Sequence, residues 1–161
     1  IIITLGLLSL LGCKDTKKEE TTTPKEKIEL QNDASENQHQ ESNTIAYDNS
    51  WTTDIQLDNG EKWEANIETN EGVNRMLDNL KTQQTETLEA YHQLAKLLND
   101  DKNYIAKSCT MKGASHDNLH IWLLPLIAKI DGLSKTATVE EAANIKKSIK
   151  DNISAYSDYF Q

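Results

Sequence analysis

From Thr69 to the C-terminus the apolar residues recur three and four positions apart, and this period constrains the fold more than any other feature of the chain. Such spacing lines residues along one stripe of an α-helix, and a stripe is stable only when buried against another element. Four segments carry it. The first, near 70–84, has Val73, Met76, Leu77 and Leu80. The second, near 86–110, repeats at Leu88, Tyr91, Ala95, Leu98, Ile105 and Cys109, with Lys102 the one gap and an irregularity expected at Asn99-Asp100-Asp101. The third starts at Ser115, read as its N-cap, and runs through Leu119, Leu123, Leu126, Ile130 and Leu133. Pro125 lies inside it, where it removes one backbone hydrogen bond and should kink the helix. The fourth opens on Thr138-Val139-Glu140-Glu141, a capping box, and continues through Ala142, Ile145, Ile149, Ile153, Tyr156 and Phe160. Short connections favour up-down order. The expected fold is all-α, an antiparallel up-down four-helix bundle over residues 69–161. At about 90 residues it buries a workable core with little reserve.

Residues 45–68 have a different period. Ile55-Gln56-Leu57-Asp58-Asn59-Gly60-Glu61-Lys62-Trp63-Glu64-Ala65 sets Asn-Gly between two short alternating runs, which predicts a short β-hairpin ahead of the bundle. A lone two-stranded hairpin is marginal in water, so Trp51, Ile55, Leu57 and Trp63 are expected to lie against the helices. Residues 14–44 are rich in Lys, Glu, Thr, Gln, Asn and Ser. Their sparse apolar side chains cannot offset the entropy of ordering the backbone, so 13–44 is expected to be a tether.

Residues 1–12, Ile1-Ile2-Ile3-Thr4-Leu5-Gly6-Leu7-Leu8-Ser9-Leu10-Leu11-Gly12, are an apolar run that ends at Cys13 and gives way to strongly polar sequence. The run is too short to span a bilayer and has the form of a secretory signal. Leu10-Leu11-Gly12-Cys13 resembles the lipobox of bacterial lipoproteins, with Leu11 where a smaller residue is more common. That resemblance implies cleavage before Cys13, diacylation of its side chain, and a life on the bacterial cell envelope, at the outer membrane on its periplasmic or surface face. The basic n-region and initiator Met of such signals are missing ahead of Ile1, so the chain is expected to start inside the signal peptide. Two acyl chains on one residue supply the two signals that stable anchoring requires.

Net charge is −9, and residues 1–12 contribute none of it. An acidic chain is a poor partner for nucleic acid and for anionic membranes. The expected partners are the membrane, through the N-terminal lipid, and another envelope protein. The chain has two cysteines. With Cys13 lipidated, Cys109 is the remaining thiol, and no intrachain disulfide can brace the fold.

Chemistry-bearing residues concentrate in Cys109-Thr110-Met111-Lys112-Gly113-Ala114-Ser115-His116-Asp117-Asn118-Leu119-His120, around the turn between the second and third helices. His116 and His120, four apart, share a helix face and can share a metal ion. Cys109 closes the second stripe, and up-down order brings Met76 toward the same end, which Tyr156, Tyr159 and Phe160 would close off. A thiolate, two imidazoles and thioethers from Met111 and Met76 suit a soft or borderline ion: copper, or zinc without the methionines. Each residue also has a packing role open to it: Cys109 as a small buried hydrophobe, Met76 as core filler, Met111 as a plug in the turn.

The last 90 or so residues loosely resemble the cytochrome b562-type four-helix bundles. Asn152-Ile153-Ser154-Ala155-Tyr156-Ser157-Asp158-Tyr159-Phe160 is similar to that family's final helix, and Met76 falls where the family keeps its axial Met. Ser157 stands where the family has its axial His, and Cys-x-x-Cys-His is absent, so haem held as in that family is not expected. Catalysis is not expected either, because no phosphate loop, nucleophile elbow or paired-carboxylate motif is present. The expected function is therefore metal handling or sensing by an anchored envelope lipoprotein. Its rival is a metal-free structural or interaction lipoprotein in which Trp122 and the kink at Pro125 shape a partner surface.

Overall fold

The computed structural model describes residues 47–161. The expected signal peptide (1–12), the lipidation site Cys13 and the tether (13–44) lie outside the described residues. Within them the fold is all-α: four long helices, α1 (Ile67–Thr82), α2 (Leu88–Ser108), α3 (Ala114–Lys135) and α4 (Val139–Ser154), then a single turn, α5 (Tyr156–Tyr159). A 3-10 turn at Ser50–Thr53 precedes them. Consecutive long helices pack on one another, and α4 also meets α1 and α2. Among the described residues no helix is long and apolar enough to cross a membrane.

The stripes form the core. Leu119, Leu123, Leu126, Ile130 and Leu133 of α3 are buried, as are Ala142, Ile145, Ile149 and Ile153 of α4, with Tyr156 and Phe160 beyond it. Thr138 caps α4 by accepting the Glu141 N–H at 3.2 Å, and Thr87 caps α2 by accepting that of Ala90 at 3.2 Å. At Ala155 the chain leaves α4, and the final aromatics sit on a separate turn.

Four local expectations are corrected. The N-cap of α3 is Gly113, not Ser115: Gly113 has φ +63°, a conformation glycine adopts without a Cβ penalty, and this starts the helix earlier. The Ser115 hydroxyl instead donates to the Lys112 carbonyl at 3.2 Å. Helix α2 runs unbroken through Asn99–Asp101, and Asp101, not Lys102, takes the inward position. Its carboxylate accepts from the Asn79 amide at 2.7 Å, with Arg75 3.7 Å away, and burial pushes its pKa up. Trp122 is fully buried, edge-on to Tyr156 at 4.9 Å between ring centroids, so it shapes core and not surface. Pro125 lies inside helix α3 as expected, and its missing N–H forfeits one rung of the ladder.

The Asn59-Gly60 turn forms, with both residues at positive φ and Asp58 and Glu61 exchanging two hydrogen bonds. No strand extends from it among the described residues. The chain after the turn bonds the C-terminus instead: Trp63 N–H donates to Tyr159, Gln161 N–H to Trp63, and Ala65 N–H to Gln161, at 2.8–3.0 Å. Trp51 and Ile55 are buried, Trp63 is half-buried, and Leu57 is exposed.

Candidate functional site

The turn 109–113 joins α2 to α3, and two asparagines near it bond the chain from outside the turn. Asn66, just ahead of α1, donates its side-chain amide to the Ser108 carbonyl at 3.1 Å, and its oxygen accepts the Thr69 hydroxyl at 2.7 Å. Asn118 of α3 accepts the Gln56 N–H at 2.8 Å. The corner is thereby tied to the non-helical segment 56–66.

Of the five candidate metal ligands, the structure clearly pairs two. His116 and His120 lie on adjoining turns of α3 with ring centroids 4.3 Å apart, His116 half-buried and His120 exposed. Cys109, the C-cap of α2, is a half-buried free thiol packed against the core, and Met111 packs there too. Met76 has 0% exposure and belongs to the core itself. Among the described residues no group of three or more His, Cys, Asp or Glu side chains is placed to hold a metal ion. Burial pushes the Tyr156 phenol well above its usual range, and charge on Cys109 adds to that shift. The Tyr156 hydroxyl donates to Asn70 at 2.8 Å. Tyr156 also lines a shallow cleft of about 360 Å³ between α1 and the C-terminus, with Val73, Leu77, Ile153 and Phe160 among its walls.

Sequence reasoning missed a second polar cluster. Lys129 of α3 is fully buried, and its Nζ donates to the side-chain oxygens of Asn49 and, at 2.8 Å, Asn152. Asn49 Oδ1 also accepts the Trp51 indole N–H at 2.9 Å. Asn152, fully buried on α4, returns its amide to the Trp122 carbonyl at 3.3 Å and accepts the Trp122 indole N–H on its own carbonyl at 2.9 Å. Burial lowers Lys129 to about 8, against opposing pulls from Asp48 and Asp151. Register was the available signal, since Lys129 lies three after Leu126 and seven after Trp122, on the inward face.

No protein-family model, no curated protein and no solved structure matches this chain.

Proposed function

We propose that this chain is a lipid-anchored protein of a bacterial cell envelope, held through Cys13, whose helical domain binds a soft or borderline transition metal. The observation that carries the metal reading is the imidazole pair of His116 and His120, half-exposed on the first turns of α3 with centroids 4.3 Å apart. Two imidazoles are good ligands for copper(II) or zinc and leave the remaining coordination positions open to water or a partner's side chain. Such a site exchanges its metal readily, which suits handling or sensing. Cys109 and Met111 flank the same turn as optional further ligands, whereas Met76 would have to leave the core to join them. The anchor rests on Leu10-Leu11-Gly12-Cys13 and the polar stretch behind it.

We further read the four helices as an antiparallel up-down bundle. Supporting this are the short connections at 83–87, 109–113 and 136–138 and the packing of each long helix on the next.

A metal-free structural or interaction lipoprotein is the second reading. It is favoured by the lack of a third His, Cys, Asp or Glu beside the pair among the described residues. Thermal melting of the full chain in detergent, with and without Cu(II) or Zn(II), separates the two. The metal reading expects a rise in Tm that the His116→Ala/His120→Ala variant loses; identical melting curves for both proteins with and without metal would sink it. Membrane fractionation with a labelled fatty acid tests the anchor separately: Cys13→Ala should lose both the label and the membrane pellet.

A further inference from the structure

The segment from Tyr47 to Ile55 is held to α3 and α4 by a small set of contacts. The Tyr47 ring lies over Gly132 of α3, where a Cβ would collide with its hydroxyl oxygen. The Ser148 hydroxyl of α4 donates to the Tyr47 carbonyl, and the Asn49 amide donates to the Ser148 carbonyl at 3.4 Å. Trp51 and Ile55 insert their side chains into the core. At the centre is Lys129, reaching Asn49 on the segment and Asn152 on α4.

The donor count at Lys129 is unusual. A neutral amine has two N–H groups, and the two asparagine oxygens take both. An ammonium has three, and its third finds no acceptor among the described residues. Nor does any carboxylate there lie within ion-pair distance of Nζ: the ion pairs involve Arg75, Lys96, Lys135 and Lys147. The charged groups that act on Lys129 are Asp48 on the segment and Asp151 on α4, both exposed. An uncompensated buried ammonium is costly, whereas a buried amine with both hydrogens used is not.

We propose that residues 47–55 are a releasable strap and that its docking on α3 and α4 is coupled to loss of a proton from Lys129. When the strap lifts, Asn49 withdraws, water reaches Nζ, and the ammonium is again the favoured form. Between about pH 8 and 10.5, acidification therefore drives release and alkalinisation drives docking. Release frees nine residues of chain (47–55). On the lipid-anchor reading this lengthens the connection to the membrane by roughly 30 Å at about 3.3 Å per residue.

Burial holds docked Lys129 near 8, and hydration returns it toward the ordinary 10.5. Proton linkage between these states makes docking roughly 30-fold tighter at pH 9.5 than at pH 6.5. Hydrogen exchange on the full chain reads this directly. The amides of Thr52, Asp54 and Ile55 are bonded within the strap and report its closure. Corrected for intrinsic exchange, they should open well before the amides of α3 and α4, and their protection should rise roughly 30-fold between the two pH values. Strap amides that open only together with the helices, or protection that ignores pH, would overturn the proposal. Lys129→Met should keep the strap docked and abolish its pH dependence; a dependence that survives would also overturn it. Should that variant not fold, an NMR titration of the wild-type Lys129 side chain decides: a midpoint near 8 supports the coupling, and one near 10.5 refutes it.

Discussion

At the 109–120 corner the residues with chemical potential gather near the surface, and most are replaceable in packing terms. His120 is exposed, His116 and Cys109 are half-covered, and the backbone of the turn is held by Asn66, outside the cluster. Around Lys129 the arrangement is reversed. One amine of α3 with no motif around it is fully enclosed, and its polar partners come from two places distant in sequence: the strap and α4. The corner has reactive groups with little enforcing their geometry; the lysine cluster has enforced geometry around a group of ordinary chemistry. Burial with a fixed donor count makes protonation matter to the fold, whereas a collection of suitable ligand types does not by itself make a site.

If that contrast is right, the largest effect belongs to Asn152. Asn152→Ala leaves Lys129 with a single acceptor and removes the amide that bonds the Trp122 carbonyl, so it should cost about 3 kcal/mol of unfolding free energy. Denaturant titration checks this, and a loss under about 1 kcal/mol would place the cluster on the same footing as the corner.

The next effect is a pH profile. Lys129 is lowered in the folded state, so the unfolded chain binds more protons between about 8 and 10.5, and stability rises with pH across that window. From pH 7 to pH 10 the gain is about 2 kcal/mol. Tyr156 acts oppositely: its folded pKa is raised, so stability falls once the unfolded phenol ionises, from about pH 10 upward. Stability curves at pH 7, 8, 9 and 10 should climb in the wild type and flatten in Lys129→Met. Gly132→Ala should act more weakly. Alanine favours helix by about 1 kcal/mol, but its Cβ would strike the Tyr47 hydroxyl, so global stability should barely move while strap protection falls.

The helical period made the core of this molecule readable in advance, because burial selects one face and the face repeats. Every apolar residue expected on the stripes of α3 and α4 is buried. The same register contained Lys129 and Asp101, which is three after Leu98 and four before Ile105, yet their charge argued for the surface. What decided otherwise was a partner outside the period: Asn49 reaches Lys129 from 80 positions away, and Asn79 reaches Asp101 from a neighbouring helix. Periodicity says which face a residue occupies and nothing about which amide from a non-periodic segment will meet it. The start of α3 was misread for a related reason. Ser115 has good capping chemistry, but a glycine two positions earlier set the backbone first. Asn-Gly at 59–60 likewise fixed a turn closed by the Asp58–Glu61 bridge, and beyond it Trp63 and Ala65 bond the C-terminal residues.

The corner supplies the smallest structural effect and the sharpest functional one. His116→Ala/His120→Ala removes two side chains of which one is exposed and one half-buried, with no packing role comparable to Trp122 or Asn152. In metal-free buffer its stability should stay within about 0.5 kcal/mol of wild type. Ligand linkage raises stability by RT ln(1 + [L]/Kd), so a hundredfold excess over Kd adds about 2.7 kcal/mol to a protein that binds in the folded state alone. Wild type should therefore gain stability with zinc or copper(II) and the double variant should gain none. Cys109→Ser divides the remaining possibilities. If the thiolate completes the site, the metal-dependent gain shrinks with that substitution too; if the imidazoles act alone, it persists. Persistence would mean that the open coordination positions face solvent, and a partner's side chain could then enter them without moving the core.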